Sequence, residues 1–153
     1  MANIIPDAFK EELLKGTHNF ASSGGNTFKL ALYTDISGLS TSTTAFTATN
    51  EVSTSGTNYT SGGNSLTNNG VATASNTAYI DFADLTSKVK DFTKPGVFSS
   101  VTLSAVGAMI YNSTNSNKIN LILDFGGTKT ATNGDFIIQF PAAGATTAIF
   151  RIG

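Results

Sequence analysis

Val97-Phe-Ser-Ser-Val-Thr-Leu-Ser-Ala-Val-Gly-Ala-Met-Ile-Tyr111 is followed, after the turn-rich Asn112-Ser-Thr-Asn-Ser-Asn117, by Lys118-Ile-Asn-Leu-Ile-Leu-Asp-Phe125. The first run is long and rich in β-forming residues. In the second, Ile119, Leu121, Leu123 and Phe125 recur at every other position, the period of a strand with one buried face. Two such runs joined by short polar turn formers predict an antiparallel hairpin. Gly107 predicts a bulge or break, because glycine weakens a strand interior. Gly126-Gly127 predicts the end of the second strand.

The same period extends outward in both directions. Phe28, Leu30 and Leu32 alternate with Lys29, Ala31 and Tyr33, which predicts a strand with one buried face. Ala78, Ile80 and Phe82 alternate with Tyr79, Asp81 and Ala83. Asn133-Gly134 precedes Phe136, Ile138 and Phe140, and Pro141 stops that run. Ala148, Phe150 and Ile152 share one side of a terminal strand over 146–152. Between 35 and 77 the chain is dominated by Ser, Thr, Asn and Gly. Here the spacing of Val52, Tyr59, Leu66 and Val71 predicts short strands near 50–54, 64–68 and 70–74, with loops at 35–49 and 55–63; the composition alone would also permit a flexible excursion. About eight strands with no helical pattern between them predict an all-β fold: an antiparallel β-sandwich or barrel, jelly-roll-like. The eleven Phe residues, with no Trp, suit a core filled from two inner faces.

One helix precedes the strands. Pro6 suits a helix start, Asp7, Glu11 and Glu12 favour the positive end of its dipole, and Lys15 then Gly16 read as its end. Ile5, Phe9 and Leu13 form one apolar stripe. About ten residues of helix do not persist alone in water, so this one must pack on something. Residues 1–20 are therefore read as an arm with a short helix and residues 21–153 as a single β-sandwich domain. The arm is expected either to cap its own domain or to cross to a neighbouring subunit. Ile4, Ile5, Phe9 and Leu13 are the candidate partner-binding residues.

Charge narrows the function classes. Only 12% of the 153 residues are charged, against roughly 25% in ordinary soluble domains, and the net charge is −1. Polarity comes instead from Thr, Ser and Asn, which supply over a third of the chain. Near-neutrality favours association. It also argues against nucleic acid, whose binding rests on Lys and Arg neutralising phosphates. No window is apolar enough to cross a bilayer, and the N-terminal residues have no secretory pattern, so a protein made in the cytoplasm and soluble there is expected. The absence of Cys excludes disulfides and thiolate metal sites.

Catalytic constellations are hard to find. His18 is the sole histidine, and it reads as a polar residue between helix and first strand. Asp81 with Asp84, or Asp124 with Asp135, would suit a glycosidase or a calcium site if they converged, but turn and strand-end acids explain them as well. Gly126-Gly127 and Ser23-Gly24-Gly25 lack the Lys-Ser/Thr that a phosphate loop requires. The glycosylation patterns at Asn58-Tyr59-Thr60 and Asn112-Ser113-Thr114 are coincidental in a chain so rich in Asn and Thr. Tyr33, Tyr59, Tyr79 and Tyr111 could stack on sugars or pack in the core. The expectation is a non-enzyme with no catalytic residues, no metal and no cofactor.

Several stretches are similar to a family of small virion proteins of tailed bacteriophages. They are Met1-Ala-Asn-Ile-Ile-Pro-Asp-Ala-Phe-Lys-Glu-Glu-Leu-Leu-Lys-Gly-Thr-His-Asn-Phe20, Phe28-Lys-Leu-Ala-Leu-Tyr-Thr34, Thr49-Asn-Glu-Val52, Ile110-Tyr-Asn-Ser-Thr-Asn-Ser-Asn-Lys118, Leu123-Asp-Phe-Gly-Gly127 and Gly134-Asp-Phe-Ile-Ile-Gln-Phe-Pro141. The resemblance implies a structural protein on the virion. Decoration or cementing of the capsid is its first expected role, with the major capsid protein or other virion proteins as partners and a homo-oligomer, a trimer, as the assembly. A tail, neck or fibre-attachment component is the alternative, and a carbohydrate-binding module on the virion the second. Neither nucleic acid nor membrane is an expected partner.

Overall fold

The computed structural model describes residues 2–83 and 98–153. The fold is all-β with one short helix: α1 (Asp7–Leu14), then β1 (Phe28–Tyr33), β2 (Asn64–Ser65), β3 (Asn68–Ala74), β4 (Thr77–Phe82), β5 (Phe98–Asn112), β6 (Lys118–Phe136) and β7 (Phe150–Ile152). Two antiparallel sheets form, ordered β2-β1-β5-β6 and β3-β4-β7. This is the sandwich-like arrangement expected from the alternating pattern. The strand near 50–54 is replaced by a single bridge between Tyr33 and Glu51. The run at 136–140 is not a separate strand either, since β6 ends at its first residue, and the terminal strand shrinks to β7.

The hairpin of β5 and β6 dominates the larger sheet. Gly126-Gly127 does not end β6, as the sequence suggested, because both glycines adopt positive φ, 69° and 143°. They let four residues of β6 (125–128) stand opposite Val106, between the pairs Gly107↔Asp124 and Ala105↔Lys129. The ladder then resumes beyond the bulge. Gly107 is needed there for another reason: a Cβ would come within 2.4 Å of the Leu123 carbonyl oxygen. A second register shift, with Ile110 facing Leu121 and Tyr111 facing Ile119, leaves Asn120 as an extra residue. Alternation reverses at that point. Leu121 faces one core while Ile119 and Ile122 face the other, so the single face expected for Ile119, Leu121, Leu123 and Phe125 is not kept.

Around β1 the larger sheet is buried on both sides, which corrects the one-faced reading of that strand, while the far half of the β5-β6 hairpin leaves one face to solvent. Phe28, Leu30 and Leu32 point into the space between the sheets, with Ile80, Phe82, Phe136, Phe140 and Phe150. Ala31 and Tyr33 point the other way, where the loop residues Ile36, Leu39 and Phe46 cover them together with Met109 and Tyr111. The loop at 35–49 is thus a third layer. Its many Ser and Thr side chains close local turns, as with Ser37 N–H and hydroxyl donating to Asp35 and Ser40 N–H to Thr43 Oγ1.

The arm is packed on its own domain. Thr41 supplies the carbonyl for the Asp7 N–H at the start of α1. At the other end Gly16, at φ 67°, donates to the Leu13 carbonyl and Thr17 to that of Glu12. These are the two bonds of a Schellman cap. Before the helix, Ile4 and Ile122 exchange both backbone hydrogen bonds, each 2.9 Å, so Ile4 acts as a one-residue strand beside β6.

Candidate functional site

Three groups of residues could carry function: an apolar groove, a buried polar cluster, and a carboxylate ringed by tyrosines.

The groove lies between α1 and the β3-β4-β7 sheet and encloses about 510 Å³. Ile5, Phe9, Leu13 and Leu14 come from the arm, Val71 from β3, Ala78 to Ile80 from β4, and Phe150 to Ile152 from β7. Its floor is rigid. Phe9 and Phe150 pack with ring centroids 5.0 Å apart, Phe20 meets Phe9 edge-on at 6.2 Å, and Phe20 stacks on Phe28 at 4.5 Å. Its walls are open: Leu14 is 93% exposed, Ile152 66%, Val71 59% and Ile5 40%. Those are four of the five large exposed apolar side chains among the described residues, the fifth being Ile137. Lys10 and Arg151 are its only charged lining residues among the described residues. Lys10 is already paired with Asp7 at 2.7 Å.

Of the residues singled out for partner binding, the structure brings Ile5, Phe9 and Leu13 together in this groove, and Phe9 is buried as part of its floor. Ile4 stands apart, bridged to Ile122 and packed against the second core with Tyr33 and Met109. Leu14, Val71 and Ile152 escaped the sequence reading. Leu14 lies off the spacing-four stripe, and the other two reach the groove only through the pairing of β4 with β3 and β7.

The polar cluster joins the arm to the hairpin. His18, expected as a bland connector, is buried, with Glu12, Asn112 and Asn120 also buried around it. Its Nε2 lies 2.9 Å from Glu12 Oε2, while Lys118 Nζ donates to Glu12 Oε1. Asn112 Nδ2 lies 3.0 Å from His18 Nδ1 and 2.8 Å from Asn26 Oδ1. The orientation of the Asn112 amide is fixed by its Oδ1, which accepts from the N–H groups of Thr114 and Asn115. His18 Nδ1 is therefore an acceptor and Nε2 carries the proton, donated to Glu12. Burial lowers the His18 pKa, and the Glu12 carboxylate only partly opposes that. Asn112 is fully buried, so its glycosylation pattern is inaccessible in this fold.

Glu51 organises the third group. Its Oε1 accepts from Tyr59 Oη at 2.8 Å and Gly62 N–H at 2.6 Å, and its Oε2 from Ser61 Oγ at 3.2 Å. Tyr59 Oη in turn accepts from the Leu32 N–H at 2.9 Å, and Tyr111 Oη donates to the Gly62 carbonyl at 2.7 Å. Burial, with Glu51 adding to it, pushes the Tyr111 hydroxyl up to about 12 and raises Tyr33 and Tyr59 in the same direction. Tyr33, Tyr59 and Tyr111 are buried pillars, so none of the three offers a face to a sugar; Tyr79 is half-buried and lines the groove.

Asp124 and Asp135 do not come together. Asp124 and Asp135 lie on either side of the β6 bulge, facing Gly107 and flanking the partner of Val101 respectively. Six residues of β5 separate those positions, a span of about 20 Å. Asp84 lies outside the described residues. Among the described residues no group of His, Asp or Glu could hold a metal, and no helix is long and apolar enough to cross a membrane.

Compared with known proteins, the chain matches no family model, no curated protein and no solved structure.

Proposed function

We propose that the chain is a structural protein of a tailed-phage virion that attaches by seating its apolar groove on a neighbouring virion protein. The major capsid shell is the first candidate partner, which would make this a decoration or cement protein acting as a homo-oligomer. The observation that carries docking is the gathering of Leu14, Val71, Ile152 and Ile5 on one open face. Soluble monomers rarely leave such side chains side by side without a partner. Placement on the virion rests on the sequence resemblance.

Work of this kind is mechanical. Burying an ordinary interface of about 1,600 Å² holds a subunit in place, and each copy bridging two shell proteins adds free energy that must be lost before the shell opens. Few charges have to be stripped of water at this face, so little of that energy is spent on desolvation.

Quantitative mass spectrometry of purified particles tests the placement. Copies in simple proportion to the major capsid protein support the shell, a small fixed number moves the chain to tail or neck, and absence removes the virion reading. Leu14→Asp with Val71→Asp tests the groove. Both side chains are exposed, so the double variant should stay folded, losing about 1–2 kcal/mol through the helix C-terminus and strand propensity, while attachment to particles lacking the protein should fall at least tenfold. Unchanged attachment by the folded double variant would exclude the groove.

A further inference from the structure

The cluster around His18 ties the N-terminal arm to the β5-β6 hairpin through a single buried imidazole, a ring whose ordinary titration lies near neutral pH. Glu12 belongs to α1, His18 to the segment after it, and Asn112, Lys118 and Asn120 to the hairpin. We propose that this cluster is an acid-released clasp: protonating His18 loosens the N-terminal arm from the β-domain while the sandwich itself stays folded.

The geometry argues for release. With neutral His18, one carboxylate (Glu12) meets one ammonium (Lys118), and the cluster carries no net charge. Glu12 and Lys118 are the charged groups facing the ring among the described residues; the rest of its surroundings are Phe9, Phe20 and the amides of Asn112 and Asn120. A proton on Nδ1 would leave two cations sharing one carboxylate around a ring removed from water. It would also point an N–H at the Asn112 amide donor, 3.0 Å away. Asn112 cannot turn to receive it, because its oxygen already holds two backbone N–H groups. Asn120 could turn, since its Nδ2 sits 3.3 Å from Nδ1 and its Oδ1 has no hydrogen-bond partner. That turn satisfies one proton and leaves the surplus charge buried. In water the imidazolium has none of these penalties, so protons favour the open arm.

The sign follows. An imidazole in an open arm titrates near 6.5, and burial in the closed state lowers that value. The closed arm therefore keeps its full stability above about pH 6.5 and loses it as pH falls toward the lowered value. Opening would bring Phe9 out of the core and free a segment whose apolar side chains then need another partner.

Amide hydrogen exchange of the full chain, corrected for intrinsic rates, tests the clasp between pH 7.5 and 5. Protection of residues 7–17 should fall tenfold or more while β1 and β5 stay protected. His18→Gln keeps a donor for Glu12 but does not titrate, and its arm should be equally protected at both pH values. Arm protection that ignores pH in the parent, or that falls as far in His18→Gln, overturns the proposal. If that variant does not fold, ring ¹⁵N shifts of the parent decide. A neutral Nε2–H form that takes its proton below pH 6.5, together with arm signals changing at the same midpoint, supports the clasp. A midpoint at or above 6.5, or arm signals that change elsewhere, overturns it.

Discussion

Buried polar residues, more than apolar ones, separate this protein from a generic sandwich. Tyr59 shows how much one hydroxyl can hold: it donates to Glu51 and accepts from the Leu32 N–H of β1. Tyr59→Phe leaves that N–H and one carboxylate position unsatisfied in a buried place, and should cost about 1–3 kcal/mol in a denaturant titration. A loss below about 0.5 kcal/mol would mean that water substitutes for the hydroxyl. Phe9 was legible as an inward-facing residue from its spacing. Glu12 carries a signal of its burial, because position 12 shares the helix face of Phe9 and an acid there must find a partner. His18 offered no local clue. Its partners Asn112 and Asn120 lie about a hundred residues away, and nothing in a polar, turn-rich stretch marks an amide as buried.

Among the elements, β6 departs furthest from its sequence pattern. Two adjacent glycines after an alternating run usually mean a turn, and here they mean a bulge inside a 19-residue strand. The physical difference is which φ each glycine takes. Gly126, at 69°, occupies the left-handed region that Asn also tolerates, while Gly127, at 143°, lies where side chains are strained. Gly127→Ala should therefore lower stability by about 1–3 kcal/mol, and Gly126→Asn by much less. Thermal unfolding of the two variants side by side checks the order; equal losses would place the strain elsewhere. Alternation located β1 and β4 closely, and a long run of β-forming residues located β5. Alternation failed across Asn120, where one extra residue puts Ile119 on the face opposite Leu121, Leu123 and Phe125, and periodicity cannot see where an unpaired residue enters.

At the scale of the whole molecule, the neutral surface and the loop layer belong together. Short Ser and Thr side chains close the turns of 35–49 over Tyr33 and Met109, so the centre of the larger sheet has cover on both sides without a layer of helices. The one-faced reading of β1 missed this because Ala31 and Tyr33 look ambivalent in sequence. Among the described residues the groove face carries only Lys10 and Arg151 as charges, and its attachment should scarcely respond to salt. Affinity for the particle should change less than about twofold from low ionic strength to several hundred millimolar, because screening acts on charge pairs and not on apolar contact. A steep fall with salt would point to an electrostatic interface outside the groove. The arm has a further consequence through Ile4. That residue occupies the outer edge of β6 at Ile122, and Ala45 bridges the same strand at Lys118. The pair works as a hem on a margin that would otherwise template a foreign strand. Lifting the arm would expose part of that margin, so the contact that keeps the domain closed is also its guard against uncontrolled polymerisation.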